Sequence, residues 1–182
     1  MTDVFGHQPR PSWLTSSPLR ELWEKAALVA DALDRHGLTL TTAESLTGGW
    51  ISTALTSIPG ISKYYLAGLV TYSNESKMEL LGVPKEVIVE RGAVSHECAF
   101  FMATGARKAG ASDWSLVTTG IAGPDGGSKE KPVGLVFVGV SDGARTVSKR
   151  LFLSGDRLRV TLSAALEALT FLYGELINLN HG

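Results

Sequence analysis

Apolar residues recur at helical spacing near the start of the chain, at Leu19, Leu22, Trp23, Ala26, Ala27, Ala30 and Leu33, and this period predicts an amphipathic helix with one face on a sheet. Ser17 as N-cap, Pro18 at the first helical position and a stop at Gly37 bound it. Ahead of it, residues 1–17 hold Pro9, Pro11 and a Ser/Thr cluster without periodicity. They read as a flexible arm that offers Trp13 to a neighbour.

Five later stretches read as strands, at 38–43, 66–72, 114–119, 133–141 and 145–153, several of them apolar on consecutive residues as in a sheet covered on both faces. Helical patterns lie at 47–57, 74–81, 85–91, 96–109 and 156–179, the last two with good i, i+3, i+4 stripes. The order α-β-α-β-α-α-α-β-β-β-α predicts an α/β class fold. We expect a single-domain α/β/α sandwich on a mixed, largely parallel sheet, with a hairpin through Asp142-Gly143. No repeat, low-complexity tract or linker interrupts the pattern, so the domain is expected to run from 18 to 182.

Composition narrows the function classes. With 182 residues, 44% hydrophobic and 19% charged, the chain has the apolar content of one globular domain. Seventeen Lys and Arg against eighteen Asp and Glu leave a net charge of −1, so no overall field holds a polyanion, and nucleic acid is not an expected partner. The single cysteine, Cys98, excludes an intrachain disulfide framework and points to a reducing compartment. No basic stretch and apolar core of a secretory signal precede the first helix, and no window is read as a run of about twenty apolar residues able to span a bilayer. A cytoplasmic protein without membrane contact is expected. His7, His36, His96 and His181 are scattered and share no metal-ligand spacing, so no metal is expected.

Three turns at strand ends, where α/β folds bind small ligands, carry the candidate chemistry. In Glu44-Ser45-Leu46-Thr47-Gly48-Gly49, the two glycines let another molecule approach the backbone, and Ser45 reads either as a nucleophile or, with Thr47, as a helix cap. In Thr71-Tyr72-Ser73-Asn74-Glu75-Ser76-Lys77, Ser73 or Asn74 caps a helix and Lys77 falls in its first turn, where the helix dipole disfavours a cation. Lys77 then points into solvent, pairs with an anion, or stays partly neutral as a base; the solvated lysine is the ordinary reading. The third turn runs from Thr118 through Gly120-Ile121-Ala122-Gly123-Pro124-Asp125-Gly126-Gly127. It reads either as backbone N–H groups arranged to hold an anion or as a long turn with glycine for steric reasons only. Near the last helix, Arg157 could meet a phosphate or merely pair with Asp156.

Together these turns, with Gly92-Ala93-Val94-Ser95, Lys131-Pro132-Val133-Gly134 and Ser154-Gly155-Asp156-Arg157, resemble the CinA C-terminal domain family over roughly residues 18 to 179. That family includes stand-alone bacterial nicotinamide-nucleotide amidohydrolases. The resemblance implies hydrolysis of the carboxamide of nicotinamide mononucleotide to nicotinic acid mononucleotide and ammonia, by a metal-independent Ser-Lys mechanism without cofactor. It implies Ser45 as nucleophile, Lys77 as general base with Tyr72 beside it, and Thr119 and Arg157 in the substrate pocket. Thr47, Gly48, Gly120, Gly123 and Gly126 are the further expected substrate contacts. Expected partners are the nucleotide and further copies of the same chain. The sequence departs from the family pattern at Leu46, where Cys is usual, and in having a short arm in place of the larger N-terminal domain of full-length CinA proteins. The alternative is a catalytically silent nucleotide-binding paralogue that serves as sensor or partner subunit.

Overall fold

A computed structural model describes residues 18–181; the expected arm, its Trp13 and the Ser17 cap lie outside the described residues. Helix α1 (Leu19–His36) buries Leu22, Ala26, Val29 and Leu33 on one face and stops at Gly37, whose positive φ lets its N–H reach back to Asp34 and Leu33. Next come β1 (Leu40–Glu44), α2 (Trp50–Thr56), a 3-10 turn at Ile61–Lys63, β2 (Tyr65–Val70), α3 (Asn74–Leu81), α4 (Lys85–Glu90) and α5 (His96–Ala109). The chain continues through β3 (Trp114–Gly120), β4 (Leu135–Ser141), β5 (Thr146–Phe152) and α6 (Arg157–Ile177), and ends in a 3-10 turn at Asn178–His181.

The expected order of elements is present, with two shifted boundaries that matter. The helix expected from residue 47 starts only at Trp50, because Gly48 and Gly49 both take positive φ and hold the segment after β1 as an open turn. The strand expected from 133 starts at Leu135, because Gly134 turns at φ 88 against the Leu153 carbonyl, which a Cβ there would meet at 1.8 Å. The hairpin lies where expected: Asp142 accepts through Oδ1 from the Ala144 and Arg145 amides.

The five strands line up as β2-β1-β3-β4-β5. β1 is parallel to both β2 and β3, while β4 is antiparallel to both β3 and β5. Four strands therefore point one way and β4 alone opposes them. β1 and β4 are buried throughout and β3 up to its last residue, whereas β2 and β5 at the edges are only part-buried. α1, α2 and α6 bury Leu22, Ile51, Leu55, Leu169 and Leu172 against one face of the sheet. On the other face α3 and α5 bury Leu81, Cys98, Met102 and Ala106 against Ala43 and Val117, with Val87 and Ile88 of α4 at the margin.

α6 is long and apolar enough to cross a membrane by length and composition, contrary to the expectation that no window reaches that mark. In the fold it is a core helix: Val160, Ala164, Ala168, Leu169, Leu172 and Leu176 are among its buried residues. Burial against α1 and the sheet accounts for its apolar character.

The connection from β1 leads to one side of the sheet and the connection from β2 returns to the other side of β1. At such a switch point two neighbouring loops diverge and leave a crevice beyond the strand ends. Glu44 at the end of β1 is paired with Val70 of β2 on one side and Thr118 of β3 on the other, so the three chemistry-bearing turns share one end of the sheet.

Candidate active site

The turn after β1 is held by Glu44, which is fully buried. Its Oε2 accepts from the amides of Gly49 at 3.0 Å and Ile51 at 3.1 Å. Its Oε1 accepts from the Ser52 amide at 2.8 Å and the Ser52 hydroxyl at 2.6 Å. Glu44, rather than Ser45 or Thr47, therefore satisfies the first amides of α2. Thr47 is buried, its hydroxyl paired with that of Thr118 at 2.8 Å. The Ser45 hydroxyl is left for other work, and its amide is fixed to the Thr118 carbonyl at 3.1 Å.

Ser73 caps α3 by accepting from the Ser76 amide, and this aims Lys77, one turn in, back beneath the β2–α3 connection. Lys77 is 2% exposed, which overturns the solvated reading. Its Nζ lies 3.2 Å from Ser45 Oγ, 2.9 Å from the Thr71 carbonyl, 3.3 Å from that of Tyr72 and 3.4 Å from that of Ser73. Burial holds the Lys77 ammonium below the ordinary lysine range, against a smaller opposing pull from the Glu75 carboxylate. Burial also pushes the Cys98 thiol up to about 11. At neutral pH that thiol is therefore uncharged and exerts no anionic pull on the amine, which leaves desolvation as the ruling effect.

A cleft of about 270 Å³ opens over this pair, lined by Ser45, Leu46, Tyr72, Lys77, Thr119, Gly120, Gly123, Gly126 and Arg157 among others. Arg157, the first residue of α6, donates through Nη1 to the Gly123 carbonyl at 2.7 Å and through Nη2 to the Tyr72 hydroxyl at 2.6 Å. It thus ties the β2–α3 loop to the glycine-rich loop and makes no ion pair with Asp156, whose carboxylate caps α6 through the Arg159 amide. Tyr72 gives Lys77 its carbonyl, while its phenol turns to Arg157. The Thr119 hydroxyl donates to the Ala93 carbonyl at 2.7 Å, pinning the loop before α5 to β3.

Along the third turn, Ile121 and Gly134 close on each other's strand, but the amides of Ala122, Gly123, Asp125, Gly126 and Gly127 bond no other described group. Thr47 and Gly48 do not line the cleft. Asn74, Ala93, Val94 and Asp125 do; Asn74 was read only as a candidate cap, and Ala93, Val94 and Asp125 belong to motifs quoted above without a role in the site. Glu44 was missed as well, although a carboxylate ending an apolar strand just before a helix was the available signal.

The profile of the CinA C-terminal domain matches residues 23–176. The chain belongs to the CinA C-terminal domain family. A CinA-like protein of Dictyoglomus thermophilum is 47% identical over 152 residues, covering 84% of this chain and 37% of the relative. Another from Geotalea daltonii is 50% identical over 151 residues, covering 82% and 36% respectively. The chain thus spans little more than a third of the length of these curated relatives. Among solved structures, the competence damage-inducible protein A of Klebsiella pneumoniae superposes with a TM-score of 0.83 at 35% identity, covering 86% of this chain and 97% of that one. The competence/damage inducible protein of Agrobacterium tumefaciens superposes with a TM-score of 0.82 at 37% identity, covering 85% and 94%.

Within this CinA domain, Leu46 stands where the family resemblance implies Cys. Its side chain is 5% exposed and belongs to the apolar core with α1, α2 and α6, so the exchange takes no polar group from the cleft. Among the described residues no group of three or more His, Cys, Asp or Glu could hold a metal ion.

Proposed function

We propose that this chain is an amidohydrolase that converts nicotinamide mononucleotide to nicotinic acid mononucleotide and ammonia by a Ser-Lys mechanism. The observation that carries the reading is the buried Lys77 amine 3.2 Å from the Ser45 hydroxyl, with no carboxylate bonded to it. A neutral amine has two N–H bonds and one lone pair. With its N–H groups turned to the Thr71 carbonyl and its neighbours, the lone pair faces the Ser45 O–H.

In the first half-reaction Lys77 takes the Ser45 proton as Oγ bonds to the carboxamide carbon, and the carbonyl electron pair moves onto oxygen. The ammonium so formed is held by the same carbonyls and returns its proton to the departing nitrogen as the C–N bond breaks, giving ammonia and an acyl-serine. In the second half-reaction Lys77 takes a proton from water, whose oxygen bonds to the acyl carbon. Collapse then frees the acid and restores Ser45 with that proton. The free amides of the glycine-rich loop and the guanidinium of Arg157 suit the 5′-phosphate.

The test is release of ammonia from nicotinamide mononucleotide by the purified protein beside its Ser45→Ala variant. Wild-type turnover lost in the variant is the expected result; equal release by both, or binding without any release, rejects the reading.

A further inference from the structure

From Ser45 to Ser52 nearly every backbone amide is used. The Ser45 amide goes to Thr118, Gly48 to Ser45, Trp50 to Thr47, and Gly49, Ile51 and Ser52 go to the Glu44 carboxylate. Only the amides of Leu46 and Thr47 bond no other described group. Leu46 also lines the cleft, its side chain buried in the core, and its amide directly follows Ser45. An unpaired N–H directly after a nucleophile is where acyl-transfer sites place a donor for the oxygen that becomes negative.

The carboxylate is what keeps that donor free. Glu44 is acceptor-only, and four donors fill its two oxygens. Without them the first amides of α2 would have to seek carbonyls in the preceding turn, and winding that turn into the helix would rotate Ser45 and the Leu46 amide together. We propose that Glu44 is a positioning residue that fixes the Ser45 turn so that the Leu46 amide stays unpaired and donates to the developing oxyanion. This rests on the reading of Ser45 as nucleophile.

Glu44→Gln tests it without changing volume. One of the two oxygens becomes an NH₂ that faces amide donors, either those of Gly49 and Ile51 or that of Ser52, and those bonds are lost. The expected result is a folded protein whose kcat falls about 100-fold, the scale of one missing oxyanion donor. Its KM should stay within about threefold, and its labelling of Ser45 by a sulfonyl fluoride, read by intact mass, should slow in parallel. A purely structural role would lower the unfolding midpoint and leave kcat per folded site untouched, and that result overturns the proposal.

Should Glu44→Gln fail to fold, Ser52→Ala decides, since it removes a single donor to the carboxylate. A several-fold loss confined to kcat supports the proposal, and an unchanged kcat overturns it. Ser45→Ala separates the two layers. If that variant retains activity, the nucleophile reading falls and this one with it; if it is inactive while Glu44→Gln matches wild type, only the role of Glu44 falls.

Discussion

Lys77 illustrates how one side chain can be stable in an unfavourable place. An amine in the first turn of α3 faces the positive end of the helix, and burial adds to the cost of charge, yet three carbonyls from Thr71 to Ser73 give its protons partners. The result is an amine whose protonated form is disfavoured without being abolished, as a base requires. On the proposed Ser-Lys reading, only the neutral amine can accept the Ser45 proton. kcat/KM should therefore rise with pH through the lowered value of Lys77 and level off before the ordinary lysine range near about 10.4. A pH–rate profile with a plateau reached only above that range would contradict this. If Ser45 is the nucleophile and Lys77 its base, Ser45→Ala and Lys77→Ala should each remove nearly all turnover, on the order of 10³-fold or more, and the double variant should be scarcely worse, because the two then act as one unit. Steady-state ammonia assays on the three variants check it.

Arg157 makes a second prediction at this scale. Its guanidinium already donates to Gly123 and Tyr72 yet retains further N–H groups, so it can meet a phosphate while keeping the cleft rim closed. Arg157→Ala should lower kcat/KM for nicotinamide mononucleotide far more than for the uncharged riboside. An equal loss on both substrates would mean that the residue serves only to join the two loops.

Among the elements, α3 and α5 decide where Lys77 stands. They cross so closely that a Cβ on Gly105 would lie 1.8 Å from the Leu81 carbonyl oxygen, against backbone that cannot swing aside. Gly105→Ala should push the end of α3 away, destabilising the protein by about 1–3 kcal/mol and lowering kcat as Lys77 shifts. Urea unfolding together with the amidase assay measures both; an unchanged midpoint would show that α3 adapts. The existence of both helices was legible because the Ser73 cap of α3 and the apolar stripe of α5 are local signals; that Ser95 caps α5 came only with the structure. That they touch at a glycine was not, since Gly105 sits in an ordinary helical pattern and its partner lies in another element. The start of α2 was misplaced because Gly48 and Gly49 take positive φ and hold an open turn that the helical spacing from residue 47 does not reveal.

For the whole molecule, the donor set decides the expected response to metal removal. Because no three metal-binding side chains are clustered among the described residues, prolonged chelation should leave the rate of ammonia release unchanged. Loss of rate restored by zinc would point to an ion and reject the Ser-Lys scheme.

The sequence by itself determined the class and order of elements, since apolar period, caps and glycine stops act within a few residues, and its motifs marked the turns that carry Ser45, Lys77 and Arg157. It left each of those residues with an ordinary alternative, as cap, solvated lysine or local ion pair. Only the tertiary structure decided among the alternatives in space. The parallel pairing of β1 with both β2 and β3 sets the turns after β1, β2 and β3 side by side at a switch point. Packing of α3 beneath that end then removes Lys77 from water and brings it to Ser45, 32 residues away in the chain. Burial and proximity are properties of the folded chain, and no local pattern encodes them.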